Sequence, residues 1–113
     1  MTDRIPALTV DEARARLDDD AAVLDVREPD EWNAGHVEGS TWIPMGELST
    51  RQDDIPEARP LVVVCHSGGR SARVTQALVA AGYDASNLVG GLEAWAQAGQ
   101  PLVTDDGSAG VVA

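Results

Sequence analysis

Short apolar runs alternate along the chain with segments that have helical spacing. Residues 61–64 are Leu-Val-Val-Val and residues 21–26 are nearly all apolar. Runs of this length and composition are typical of strands buried on both faces of a sheet. Residues 71–81 instead place apolar side chains three and four positions apart, and Gly82 follows where a helix commonly ends in the left-handed conformation. The pattern predicts two buried strands and one well-defined helix.

Weaker signals predict the remaining elements. Thr9 and Glu12 have the spacing of a capping box, which begins a helix that we expect to run to Leu17. Pro29 suits the first turn of a second short helix. The other predicted elements are strands at 41–43 and 87–89, a helical turn at 46–50 within the polar segment 45–60, and a helix at 92–98 that Gly99 closes.

Strands that alternate with helices indicate the α/β class, with a mainly parallel sheet covered on both faces. We expect one domain over residues 1–103 and a flexible tail over residues 104–113, because the tail is rich in small and acidic residues. In such sheets ligands bind beyond the carboxyl ends of the strands. Cys65 directly follows the run 61–64 and therefore lies at such an end.

Charge and length restrict the function further. The chain has 113 residues, with 19 acidic side chains against 8 basic ones, a net charge of -11. Nucleic acid is therefore not an expected partner, and an anion site has to be built locally from arginines and backbone amides. The apolar runs are too short to span a bilayer, so no membrane association is expected. A single cysteine forms no internal disulfide and fits the cytoplasm, where we expect the protein to act.

The loop after the strand 61–64 has the features of a reactive cysteine site. Cys65 is followed by a glycine-containing turn and then by the predicted helix, so that free amides at the helix start can converge on a negative sulfur. These donors are expected to lower the pKa of the thiol. The candidate catalytic residue is Cys65, and the candidate substrate-binding residues are His66, Ser67, Gly68, Gly69, Arg70 and Ser71.

Several of these side chains have two interpretations. His66 either orients an acceptor or is a solvent-facing loop residue, and the Ser67 hydroxyl either donates to the sulfur or only stabilises the turn. Arg70 binds an anion, pairs with a carboxylate, or does both. His36 is expected to be hydrogen-bonded within the turn 35–39, because scattered histidines without a ligand spacing are weak evidence for a metal. The tryptophans, at positions 32, 42 and 95, are expected in the core.

At this point the chain resembles the rhodanese-like domain family. Residues 65–71, Cys-His-Ser-Gly-Gly-Arg-Ser, are similar to the active loop of that family. Residues 24–27, 31–32, 35–39 and 43–44 resemble its upstream signature, and residues 90–95 with Gly99 and Pro101 resemble its closing signature. Val37 and Ser40 stand where isoleucine and alanine are common. The resemblance runs from about Leu8 to Pro101.

The resemblance implies a small, mainly parallel sheet of about five strands with helices on both faces. It also implies a sulfurtransferase in which Cys65 takes sulfane sulfur from thiosulfate or a related donor as a persulfide and passes it to cyanide or a thiol. No cofactor and no metal are implied. Asp25 and Arg27, at the end of the neighbouring strand, are expected to support the loop, as the corresponding family residues often do.

Three other functions remain open from the sequence. The domain is alternatively a persulfide carrier that exchanges sulfur with partner proteins of a sulfur relay, a phosphatase or arsenate reductase, or a structural module of this fold. Phosphatases and arsenate reductases related to this fold have one residue more between cysteine and arginine than the four found here, so the loop predicts a smaller cradle suited to one sulfur atom.

Overall fold

Five short strands form a single sheet in which every paired neighbour runs parallel. The computed structural model describes residues 5–57 and 59–113. The sheet order is β1-β5-β4-β2-β3. The elements are β1 (Ala7–Leu8), α1 (Val10–Asp18), β2 (Ala22–Asp25), α2 (Pro29–Ala34), β3 (Thr41–Trp42), 3-10 turns at Met45–Thr50 and Gln52–Asp54, β4 (Leu61–Val64), α3 (Gly69–Ala80), β5 (Ala85–Leu88) and α4 (Gly91–Gln97). The predicted α/β class is confirmed, and the sheet is wholly parallel.

Two separate apolar clusters cover the two faces of the sheet. All four residues of β2 and all four of β4 are buried, and alternate residues point to opposite clusters. Val62 belongs to the cluster that includes Ala13 of α1 and Trp95 of α4. Val63 belongs to the other cluster, which includes Val74 of α3. The near-continuous apolar runs therefore reflect burial on both faces, as predicted.

Local signals in the sequence fix most helix ends. The Thr9 hydroxyl accepts from the Glu12 amide at 3.2 Å, and the Glu12 carboxylate accepts from the Thr9 amide at 2.9 Å, so the predicted capping box is present. Gly82 has φ +98° beyond α3, as expected. Within the described ranges no helix is long and apolar enough to cross a membrane.

Several element boundaries differ from the prediction by one or two residues, and one strand was not predicted. Helix α3 begins at Gly69 rather than at residue 71, so the end of the loop is already the first helical turn. Strand β5 spans Ala85–Leu88 rather than 87–89, because two polar residues, Ser86 and Asn87, are buried within it, whereas Val89 is half exposed. Strand β1 was not predicted, since two residues carry no periodicity.

The C-terminal segment also differs from the flexible tail expected from the sequence. The Val103 amide donates to the His36 carbonyl at 2.8 Å, and the Val111 amide donates to the Ala34 carbonyl at 2.9 Å. The Gly110 amide donates to the Leu102 carbonyl at 2.8 Å. Backbone groups make these hydrogen bonds, so a segment of small residues can be docked without large side chains. The same small residues led the sequence to predict a flexible tail.

Gly35→Ala tests whether the C-terminal segment is docked. A Cβ at Gly35 would lie 2.6 Å from the amide nitrogen and carbonyl oxygen of Val111, whereas a Cβ at Gly46 meets nothing within 4 Å. We expect Gly35→Ala to lower the free energy of unfolding by about 1–3 kcal/mol, since both neighbours are backbone and have to shift. Amide exchange should accelerate at residues 103–111. Denaturant unfolding and hydrogen exchange measure this.

Gly46→Ala is the matched control, because its site is exposed and open. If the two alanine variants unfold at the same denaturant concentration, the segment is not docked as described.

Candidate active site

The candidate loop joins β4 to α3 at the carboxyl end of the sheet. Cys65 directly follows β4 and is 1% exposed, and α3 begins four residues later. Gly68 lies at the helix N-cap with φ +103°, a conformation that side-chain-bearing residues rarely adopt. This single left-handed residue turns the backbone so that the next amides face back toward the cysteine.

Three hydrogen-bond donors converge on the Cys65 sulfur. The Gly68 amide lies 3.1 Å from Sγ, the Ser71 amide 3.4 Å and the Ser71 hydroxyl oxygen 3.2 Å. Gly68 and Ser71 therefore provide the cradle expected from the sequence. Gly69 and Ser67 are exposed in the same loop. Of the two serines in the loop, Ser71 places its hydroxyl at the sulfur, so for Ser67 the structure favours the interpretation in which its hydroxyl does not act on the sulfur.

The donors outweigh the effect of burial on the thiol. Burial of Cys65 alone raises its pKa, because a thiolate loses hydration. The Ser71 hydroxyl and the amides of Ser71, Gly68 and Ser67 act in the other direction, and the net pKa of Cys65 is lowered from its ordinary value. The site is thus built to hold a negative charge on sulfur away from bulk water.

Helix α4 holds the loop from behind. The Leu92 amide donates to the Cys65 carbonyl at 2.9 Å, and the Glu93 amide donates to the His66 carbonyl at 3.0 Å. A Cβ at Gly91 would lie within 2.7 Å of the same two carbonyl oxygens, so only glycine permits this approach. Gly91, within the closing signature 90–95, therefore helps to fix the position of the loop 65–71.

His66 points toward α4. Its Nε2 lies 3.2 Å from a carboxylate oxygen of Glu93, and both side chains are partly exposed. No contact between the imidazole and the sulfur is found among the described residues. Of its two interpretations, this position favours a residue at the rim of the site rather than one that acts on the sulfur.

Arg70 forms a bidentate ion pair with Glu31 of α2. The two nitrogen–oxygen distances are 2.7 and 2.8 Å. The pair lowers the pKa of Glu31 to about 2 and raises that of Arg70, so both groups are charged at neutral pH. Of the interpretations left open by the sequence, the structure shows the carboxylate partner. Glu31 was not among the predicted site residues, because its partner lies 39 positions away.

Asp25 and Arg27 form a second, fully buried ion pair. The guanidinium of Arg27 donates to the Asp25 carboxylate from Nε at 2.9 Å and from Nη2 at 2.8 Å. It also donates to the Gly35 carbonyl at 2.7 Å and to the Glu31 carbonyl at 3.2 Å. The pair therefore anchors α2 and the following turn. Its link to the active loop is indirect and runs through the Glu31 side chain to Arg70.

His36 and the three tryptophans are buried or partly buried. His36 is buried, its Nδ1 lies 2.9 Å from the Trp32 carbonyl, and its ring stacks on the Trp32 ring at 3.5 Å. Trp32 and Trp95 are buried as expected, whereas Trp42 is only partly buried and donates from Nε1 to the Arg27 carbonyl at 2.9 Å.

The strand, the buried cysteine with its converging donors and the following helix have the arrangement that the family resemblance implies, and comparison with known proteins identifies the family. The family model described as "Rhodanese-like domain" matches residues 9–98. The chain therefore belongs to the rhodanese-like domain family, and the predicted family is confirmed.

Individual relatives have names that concern sulfur transfer. A "Sulfurtransferase" of Allochromatium vinosum is 36% identical over 90 residues, which cover 79% of this chain and 84% of the relative. A "Putative sulfur carrier protein YrkF" of Bacillus subtilis is 31% identical over 94 residues, 80% of this chain and 51% of the relative. The crystal structure of a rhodanese-related protein from Thermoplasma volcanium superposes with a TM-score of 0.83 at 28% identity and covers 88% of this chain and 99% of that one.

The Glu31–Arg70 pair should make stability depend on pH in a specific range. A carboxylate whose pKa falls on folding stabilises the native state above its ordinary pKa of 4.5, and this contribution is lost as the pH falls toward about 2. We expect Glu31→Gln to lower the unfolding free energy by about 1 kcal/mol at neutral pH, after allowance for screening of a partly exposed pair. The difference from wild type should vanish near pH 2.

Urea unfolding of both proteins at several pH values between 2 and 7 measures this difference. Glu47→Gln is the matched control, because Glu47 pairs with Arg51 in an exposed i,i+4 arrangement. A difference between wild type and Glu31→Gln that stays constant across the range would contradict the assigned pair.

Proposed function

We propose that this protein is a sulfurtransferase that moves sulfane sulfur from thiosulfate or a related donor, through a persulfide on Cys65, to a thiol or cyanide acceptor. The donors that converge on a buried Cys65 sulfur are the observation that carries this proposal. Membership of a family whose members include a named sulfurtransferase supports the reaction class. We further propose that the protein works in the cytoplasm, since its one cysteine is a free thiol.

Loading begins with the Cys65 thiolate, which the loop favours by lowering the thiol pKa. The thiolate attacks the sulfane sulfur of the donor. A bond forms between Sγ and that sulfur, the bond between the two donor sulfurs breaks, and with thiosulfate the electron pair leaves on sulfite. Cys65 then carries a persulfide whose negative charge is on the outer sulfur.

In delivery Cys65 is the leaving group rather than the nucleophile. An acceptor thiolate or cyanide attacks the outer sulfur, the bond between the two sulfurs breaks, and Cys65 leaves as a thiolate. The Gly68 and Ser71 donors stabilise the charge that returns to Sγ. The chain has no second cysteine, so an external nucleophile has to complete the cycle.

The second candidate is a persulfide carrier that receives sulfur from a partner protein and passes it to another. Arg70 is the only arginine within the active loop, and Glu31 neutralises it with two short hydrogen bonds. The chain has a net charge of -11 as well, which repels a dianion such as thiosulfate. A protein persulfide avoids that cost. The similarity to a putative sulfur carrier protein supports the same candidate.

Cys65→Ala tests the proposal directly. Because no other cysteine exists in the chain, we expect the variant to form no thiocyanate or sulfite from thiosulfate and cyanide and to gain no sulfur mass in intact mass spectrometry. The wild type should gain one sulfur mass that cyanide removes. Ser49→Ala, at an exposed position, is the control and should behave as wild type. Turnover by Cys65→Ala at the wild-type rate would refute the proposal.

Glu31→Gln distinguishes the two candidates. Removal of the carboxylate charge frees the Arg70 guanidinium for a substrate anion, so we expect KM for thiosulfate to fall by about threefold to tenfold, the range expected for a partly screened charge. The rate of loading from a neutral organic persulfide should change little. A thiosulfate KM that is low in the wild type and unaffected by the substitution would show that the ion pair does not hinder thiosulfate binding, and would remove this argument for the carrier candidate.

A further inference from the structure

Asn87 of β5 contacts the same serine that contacts the catalytic sulfur. The Ser71 hydroxyl oxygen lies 3.2 Å from Cys65 Sγ and 2.6 Å from Asn87 Oδ1. A hydroxyl carries one proton, so it can donate to only one of the two at a time. The sulfur and the amide oxygen therefore compete for the Ser71 proton.

The orientation of the Asn87 amide is set by a second contact. Its Nδ2 lies 3.3 Å from the Gly68 carbonyl oxygen, which can only accept. Turning the amide over would place two acceptor oxygens against each other there. Oδ1 is therefore held toward Ser71, and Asn87 is buried, with 7% of the residue exposed, so bulk water does not relieve the constraint. The strand fixes its backbone, whose amide donates to the Pro6 carbonyl at 2.9 Å.

We propose that Asn87 is a positioning residue that holds the Ser71 proton away from Cys65 whenever Sγ is uncharged. In that state the Ser71 oxygen turns a lone pair to the sulfur and can accept from its S–H. Ionisation of the thiol draws the Ser71 proton to sulfur and leaves Oδ1 facing a lone pair at 2.6 Å. Asn87 thus opposes the thiolate, while the amides of Gly68 and Ser71 favour it.

The consequence concerns the persulfide, and this step rests on the proposed function. In the persulfide the negative charge lies on the outer sulfur and Sγ is neutral, so the Ser71–Asn87 hydrogen bond can stay intact. In both the thiol and the persulfide the Ser71 hydroxyl can donate to Asn87. Only the thiolate requires it to donate to Cys65 instead. Asn87 would thereby favour the loaded over the unloaded ionised state.

A double-substitution cycle with Asn87→Ala and Ser71→Ala tests the competition. The rate of iodoacetamide alkylation against pH reports Cys65 alone, because it is the only cysteine. Asn87→Ala should lower the Cys65 midpoint by about half a pH unit to one pH unit, since Ser71 can then donate to the thiolate without losing a partner. In the Ser71→Ala background the same substitution should leave the midpoint unchanged.

The cycle separates this role from a merely structural one. Asn87→Ala also removes the donor to the Gly68 carbonyl, but it does so in both backgrounds. An equal shift in both, or a raised midpoint with Ser71 present, would overturn the proposal. Neither substitution removes a charged group near the loop. These groups are Arg70 with Glu31 and Glu28, His66 with Glu93, and Arg27 with Asp25.

A measurement on the wild type covers the case in which Asn87→Ala does not fold. The chain contains two asparagines, Asn33 and Asn87, so the side-chain amide signals of ¹⁵N-labelled asparagine are readily assigned. The Asn87 signals should shift with the same midpoint as Cys65 alkylation, and the Asn33 signals should not. Asn87 signals that stay constant through that midpoint would overturn the proposal. The alkylation rate and the Asn87 signals both follow ionisation of Cys65 and do not depend on sulfur transfer. A protein that transfers no sulfur would therefore count against the proposed function and not against the role of Asn87.

Discussion

The site depends on one compensation: a buried sulfur has to receive enough hydrogen bonds to carry a charge. Burial of Cys65 at the end of β4 raises the thiol pKa, and only the combined donors of Ser67, Gly68 and Ser71 reverse that effect. Such donors converge only if the backbone turns left-handed at Gly68 and α4 approaches closely at Gly91. The geometry of the sheet end is therefore a condition for the chemistry, and much of the remaining fold maintains it.

Two ion pairs, Asp25–Arg27 and Glu31–Arg70, connect the active-site loop to more distant parts of the fold. Arg27 is completely buried, and its ion pair with Asp25 leaves donors free for the carbonyls of Glu31 and Gly35. A buried pair of this kind adds little net stability but is costly to break, so it specifies where α2 lies. Helix α2 in turn presents the Glu31 carboxylate to Arg70. The C-terminal segment also contacts this turn, since the Val111 amide donates to the Ala34 carbonyl beside Gly35. Residues that are distant in the sequence therefore meet around the Asp25–Arg27 pair.

Sequence alone predicts what is encoded locally. The capping box of α1, the strands buried on both faces and the cysteine in a glycine-containing loop each depend on residues within a few positions of one another. The extent of β5 could not be read in this way, because the strand begins at Ala85 and buries a polar residue, Ser86, which breaks the apolar pattern. The Glu31–Arg70 pair and the docked C-terminal segment depend on contacts between distant residues, and the segment is held largely by backbone groups that leave no signature.

The distances at Sγ also bear on the proposed transfer of sulfur through a persulfide. The Gly68 and Ser71 donors reach the cysteine sulfur itself, at 3.1 to 3.4 Å, so they act on the atom that becomes charged when a persulfide is delivered. An oxyanion bound beyond the sulfur would need those amides for its own oxygens, and Arg70, which would be its natural counter-ion, is held by Glu31. In the proposed cycle the charge lies on the outer sulfur while Cys65 is loaded and returns to Sγ on delivery, where the donors already converge. The loop and the ion pair thus favour the same cargo for separate physical reasons.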